Sequence, residues 1–209
     1  MDFNLWLTFV AASVALLLIP GPTILLVLSY ALTQGRRVAL ATATGVAVGD
    51  FIAMTASLAG LGAVVLASAE MFTLLKWAGA VYLVWLGIKM LRSASDATVG
   101  SLPGASQVGS KSIFFHAAAV TTLNPKSIAF FIAFVPQFVR AEQPLFPQFA
   151  ILTATFVGLA MLNALAYALL ADNMRSRIEK PAVMVWLTRI GGGALITMGL
   201  LTATLRRSA

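Results

Sequence analysis

The run LLLIPGPTILLV, residues 16–27, sets Pro20, Gly21 and Pro22 inside an apolar stretch that is otherwise fit to cross a bilayer. Proline has no backbone N–H and its ring clashes with the preceding turn, so a helix carrying two prolines around a glycine breaks and restarts. In hydrocarbon, the polar groups freed by such a break must be met by protein or by a water-filled cavity. A broken span is therefore a pointer to an internal site.

The composition supports a membrane setting. The 209 residues are 60% hydrophobic and 10% charged, with a mean hydropathy of +0.94, far from the averages of a soluble domain. The net charge of +7 does not imply nucleic acid, because the basic residues sit mostly in short segments between apolar runs, where positive-inside placement accounts for them. The absence of cysteine removes disulfides, thiolate metal sites and thiol redox chemistry. The opening MDFNLW lacks the basic region of a signal peptide, so the first apolar stretch is expected to be a retained helix.

Six apolar runs have the length of a transmembrane helix: Leu5–Leu32, Ala39–Ala67, Met71–Leu91, Ser112–Gln137, Phe146–Ala171 and Val183–Leu205. The connections on one side carry Arg36, Arg37, Lys89, Arg92, Lys111, Arg175, Arg177 and Lys180; the other side carries Arg140, Arg206 and Arg207. This bias of eight to three predicts that both termini face outside. The segment SASDATVGSLPGASQVGS, rich in small polar residues, reads as a cytoplasmic linker. The expected organisation is residues 1–92 as a first three-helix repeat, 93–111 as linker and 112–209 as a second repeat. An odd number of spans per half requires the repeats to be inverted, giving an all-α membrane protein with broken helices one and four.

The second break is at Asn124, Pro125 and Lys126. Proline suits the first position of a helix, and Gly or Asn suits the position before it, so Gly21-Pro22 and Asn124-Pro125 both read as a cap followed by a new helix. Each restart presents backbone N–H groups and the positive end of a helix dipole to the membrane centre, a setting for an anion such as a carboxylate. Asp50 is the single carboxylate in the middle of any span, at nearly the depth of both breaks. An intramembrane acid of this kind marks function and needs a charged partner; Lys126 is the best match by depth.

Other positions have structural readings. Ala41, Gly45, Gly49, Ala53 and Ser57 form a small-residue stripe for close helix packing, which turns Asp50 toward the bundle. Phe130, Phe131, Phe134 and Phe138 read as packing. Trp77, Trp85, Trp186 and Tyr82 read mostly as interfacial anchors, and Lys76 and Arg189 as residues able to snorkel. Asn163 and Tyr167, one turn apart, are secondary candidates for lining a route. His116, the sole histidine, cannot build a metal cluster alone and fits a packed or interfacial role.

The segments IPGPT, GVAVGD, KWAGAVYLVWLGIKMLRS and LNPKSIAFFIAFVPQF together resemble the LysE/RhtB superfamily of amino-acid exporters, across all six spans and in order. The resemblance implies an efflux carrier of the bacterial inner membrane for amino acids or close derivatives, of the homoserine, threonine and neutral amino-acid type, driven by the proton gradient. It carries over Pro20, Gly21, Pro22, Asp50, Asn124, Pro125, Lys126 and Gln137 as transport positions. One departure is His116, where relatives often have glycine.

Both lines of reasoning meet in one expectation. A zwitterion sits at the midplane with its carboxylate on the two helix N-termini and Lys126, and its ammonium near Asp50, which also couples transport to protons. The expected partners are an amino acid, protons and the lipid bilayer, with no nucleic acid, metal or other cofactor; a homo-oligomer is open to it. An exporter of divalent cations or other small solutes with the same architecture is the alternative, disfavoured by the lack of thiolates and by a single intramembrane acid. An enzyme is not expected, because the lone histidine has neither a Gly-x-Ser-x-Gly nor an HExxH companion.

Overall fold

The structure is a computed structural model that describes residues 1–67, 69–92, 108–140, 143–178 and 181–204. Its helices are α1 (Phe3–Leu18), α2 (Pro22–Gln34), α3 (Ala39–Ala67), α4 (Ala69–Arg92), α5 (Ser110–Thr122), α6 (Pro125–Ala133), α7 (Leu145–Ile178) and α8 (Pro181–Thr204), with 3-10 turns at Arg36–Val38 and Val135–Phe138. No strand occurs among the described residues. Most of the linker expected at 93–111 lies outside the described residues, as do Lys180, Arg206 and Arg207; α5 already begins at Ser110.

The two breaks fall where the prolines require them. Helices α1 and α2 meet at 55°, and α5 and α6 at 45°. Pro22 and Pro125 occupy the first helical turn in each case, after an extended Gly21 or Asn124. Helix α2 then ends at Gly35, whose φ of 75° is a backbone conformation that a side chain disfavours.

Helices α3 and α7 are long and apolar enough to cross a membrane, and so is each bent pair taken as one passage. Helices α4 and α8 have 24 residues each, about 36 Å at the usual rise per residue. Asp2 and Arg140 meet at 3.4 Å, which places the start of α1 beside the end of the second bent passage.

Helix α3 is the centre of the arrangement, packed against α5, α6 and α7, while α4 pairs with α8 and α6. Several seams lack room for side chains, that of α4 on α6 at Gly79 and Ala133 among them. A Cβ on Gly45 would lie 2.5 Å from the Phe114 carbonyl oxygen, and one on Gly49 would lie 2.6 Å from that of Ala118. These glycines let α5 lie backbone to backbone on α3, as the small-residue stripe predicted. At the α4/α8 seam, Gly87 and Gly192 each face the other's carbonyl oxygen.

The aromatic residues fill the interior on the side of Asp2. Phe130, Phe131, Phe134 and Phe138 are buried, joined by Phe9 from α1 and Phe156 from α7. Phe131 and Phe156 meet edge to face with centroids 4.8 Å apart, a favoured quadrupolar arrangement. Trp77, Trp85 and Trp186 are half or more exposed on the outer surface, as the anchor reading requires.

Candidate functional site

The two breaks and Asp50 converge on one cavity. It is lined by Leu16, Leu17, Gly21, Thr23 and Ile24 from the first bent passage, Val46 and Asp50 from α3, Asn124, Lys126 and Ser127 from the second break, and Ala160 and Asn163 from α7. Its volume is about 20 Å³, room for a water molecule and not for an amino acid. The site is closed in this conformation.

Asp50 is 2% exposed and its Oδ1 is buried without a hydrogen-bond partner. Its nearest charge is Lys126, and Ser127 adds a hydroxyl beside it. Lys126 is 7% exposed. Its ammonium, however, donates to the carbonyl oxygens of Leu16 at 3.1 Å and Ile19 at 2.8 Å, so it caps the cut end of α1 and makes no direct ion pair with Asp50. Asp50 and Lys126 line the same cavity, and the bonding partners of the lysine are backbone carbonyls.

The restarts differ in what they offer. At α6 the Asn124 side chain accepts from the Lys126 N–H at 3.1 Å and so caps its own helix. At α2 no side chain caps the N-terminus, because Gly21 has none. Gly21 also makes space for the lysine: a Cβ there would lie 3.3 Å from both Cε and Nζ of Lys126. Thr23, in the first turn of α2, accepts from Asn124 Nδ2 at 3.0 Å and from Thr121 Oγ1 at 3.3 Å. Each restart thus reaches the cut end of the other passage, Lys126 to α1 and Thr23 to α5.

Of the residues marked by sequence, Gly21, Asp50, Asn124 and Lys126 line the cavity. Pro20 is buried next to it, whereas Pro22 and Pro125 point outward and act by starting helices. Gln137 lies in the second 3-10 turn and is not among the lining residues; both polar atoms of its amide are buried without partners. Asn163, a secondary candidate, lines the cavity. Thr23 and Ser127 were not singled out. Their signal was position, since each falls in the first turn after a break, where a short polar side chain faces whatever the helix start faces. His116 bonds to Tyr30 Oη at 2.8 Å, away from the cavity.

The model of the LysE type translocator family matches residues 14–206. A homoserine/homoserine lactone efflux protein of Salmonella typhimurium is 33% identical over 208 residues, covering all of both chains. An uncharacterized membrane protein of Vibrio cholerae is 32% identical over 204 residues, 98% of each chain. A leucine efflux protein of an Enterobacter species is 33% identical over 136 residues, covering 65% of this chain and 64% of its own. No solved structure matches the chain. With its apolar helices and these membrane and efflux relatives, the chain is a multi-pass protein of the bacterial inner membrane. It belongs to the LysE type translocator family.

Proposed function

We propose that this protein exports amino acids from the cytoplasm by proton antiport, with the substrate bound between the two helix breaks at the bilayer midplane. The observation that carries the reading is the convergence of both breaks, Asp50 and Lys126 on one small cavity. Relatives matched over their full length or most of it are named for efflux of homoserine, homoserine lactone and leucine, which supports a neutral amino acid or close derivative as substrate.

In this reading the carboxylate of the zwitterion lies at the uncapped start of α2 and draws the Lys126 ammonium toward itself. Its own ammonium faces Asp50. Discrimination is left to the apolar wall of Leu16, Leu17, Ile24, Val46 and Ala160. The cavity must expand to admit substrate, so binding and opening are one event, as alternating access requires.

We further propose two inverted three-helix repeats, 1–92 and 112–209, joined by a cytoplasmic linker. The crosswise reach of Lys126 and Thr23, the packing of α3 on α7 and of α4 on α8, and the like breaks at α1/α2 and α5/α6 are the features such a repeat would produce. The test of the function is uptake into inside-out vesicles. With an imposed pH gradient, vesicles carrying the protein should accumulate labelled homoserine or leucine above control vesicles, and dissipating the gradient should abolish the excess. Equal uptake by control vesicles across a panel of neutral amino acids would reject it.

A further inference from the structure

All four carbonyls at the end of α1 accept from side chains elsewhere in the fold, and that of Leu16 accepts the Ile19 N–H as well. Leu16 and Ile19 accept from Lys126, at 3.1 and 2.8 Å. Leu17 accepts from Asn163 Nδ2 at 3.0 Å, and Leu18 from Tyr167 Oη at 3.0 Å. The last carbonyls of a helix have no partner inside it, and burial makes them costly to leave bare. Here one residue of α6 and two of α7 close the whole set.

The other break is built differently. Where α5 stops, the backbone closes on itself: Leu123 N–H donates to Ala119 and Thr121, and Asn124 N–H to Thr121. Helix α5 is also clamped to α3 along the Gly45 and Gly49 seam. Helix α1 has no glycine seam along its length among the described residues; its close approach is at its end, where Gly191 of α8 leaves room for Ile19 Cγ2. The buried residues of α1 are Phe9, Ser13 and Leu16, a single narrow line, and its main neighbour is α7. The two half-helices therefore differ: α5 lies backbone to backbone on α3, whereas α1 packs through side chains such as Phe9 against Phe130 and Phe138, with its cut end held by hydrogen bonds.

We infer that Asn163 and Tyr167 are positioning residues for transport, pinning the cut end of α1 to α7, and that α1 is the half-helix that swings when the cavity opens. Releasing these bonds frees Leu16, Leu17 and the Gly21 corner, which form one wall of the cavity, while α5 stays with α3. Substrate and latch are linked through Lys126: a carboxylate that draws its ammonium away removes two of the four bonds, leaving Asn163 and Tyr167 to set how readily the remainder lets go. The inference rests on reading α1 and α2 as one broken membrane passage of a carrier, and its test needs neither substrate nor gradient.

The chain has no cysteine, so single thiols report local opening cleanly. Ser13 on α1 and Thr42 on α3 are both 0% exposed, and cysteine nearly matches either in size. The rate of modification by a water-soluble maleimide is measured for S13C in the otherwise unchanged protein, with Tyr167→Phe and with Asn163→Leu. Each latch variant removes about one neutral hydrogen bond, so S13C should react roughly two- to tenfold faster, and T42C in the same backgrounds should keep its rate. Should S13C fail to insert, L17C serves as the reporter. Unchanged rates at the α1 thiol in both variants overturn the inference. So does equal acceleration at T42C, which would mean general loosening. A protein that transported nothing would still give the same labelling answer, so a failed uptake experiment and a failed latch are distinct results.

Discussion

The ammonium of Lys126 lies 2.8 Å from the carbonyl oxygen of Ile19, a residue 107 positions earlier in the chain. This bond ties the start of one broken passage to the cut end of the other. A buried ammonium without partners is untenable in a membrane interior, and a buried helix end without donors is costly; each resolves the other.

Lys126→Gln is therefore expected to do two things. Its shorter amide cannot serve both carbonyls as the ammonium does, and since Leu16 keeps the Ile19 N–H, the cost is about 1–3 kcal/mol for the Ile19 carbonyl left bare; the change also removes the cation proposed to meet the substrate carboxylate. The detergent-solubilised variant should melt several degrees below wild type and should also export poorly. A variant that melts early yet exports at the wild-type rate would restrict Lys126 to the structural part.

Gly21 tests the space around that lysine. Its backbone is extended, with φ −124° and ψ −171°, so any residue fits the conformation, and only the 3.3 Å approach of an added Cβ to Lys126 Cε and Nζ opposes substitution. Gly21→Ala should need a shift of a few tenths of an ångström and retain part of the transport. Gly21→Val should insert normally and export far less. Transport by the valine variant equal to wild type would show that the lysine head can move aside freely.

The sequence disclosed what acts locally. Two prolines break a helix wherever it lies, so both bends were legible, and a lone mid-span acid stands out by composition alone. The stripe around Gly45 and Gly49 gave the seam with α5 in outline, because small residues at helical spacing have one use in a tight bundle. What it did not disclose are relationships set by packing. That Lys126 bonds the end of α1 rather than Asp50, and that Asn163 and Tyr167 complete that end, depends on where α1, α6 and α7 meet. No local pattern encodes it. Gln137 shows the reverse: it came from resemblance alone, and it stands apart from the cavity lining.

The α3/α5 seam gives a stability prediction. A Cβ at Gly49 would lie 2.6 Å from the Ala118 carbonyl oxygen and 2.7 Å from Thr121 Cβ, both parts of a clamped helix that cannot yield cheaply. Gly49→Ala should lower stability by about 1–3 kcal/mol, the usual range for overpacking. Gly60→Ala, on the same helix with nothing within 4 Å, should be neutral or slightly stabilising because alanine favours helix. Thermal melts of the two variants in one detergent decide it, and equal melting temperatures would mean that the seam relaxes.

Orientation can be checked on residues away from the site. Asp2 and Arg140 meet at one end of the bundle, and the charge bias predicts that this end faces outside. Single cysteines at Asn4 and Gln143 should react with an impermeant reagent in intact cells, and those at Arg36 and Lys111 only after permeabilisation. Labelling of the second pair in intact cells would reverse the proposed direction of transport.

The last prediction concerns Asp50 and the proton. A carboxylate removed from water favours its neutral form, and a cation nearby favours the charged one. Asp50 is held between these influences, with one oxygen unpartnered and Lys126 facing the same cavity. In the proposed cycle the ammonium of a bound amino acid stands beside the ionised acid; once the substrate leaves outward, a proton takes its place and the empty carrier returns with that proton bound. Asp50→Asn preserves the size of the side chain and cannot change charge. It should abolish accumulation driven by a pH gradient in inside-out vesicles, while exchange of labelled for unlabelled substrate, which requires no net proton movement, survives at a reduced rate. Loss of both activities would make Asp50 a binding residue without showing coupling. Full gradient-driven accumulation by the variant would remove Asp50 from the coupling step altogether, and no other carboxylate lies in the middle of a span to replace it.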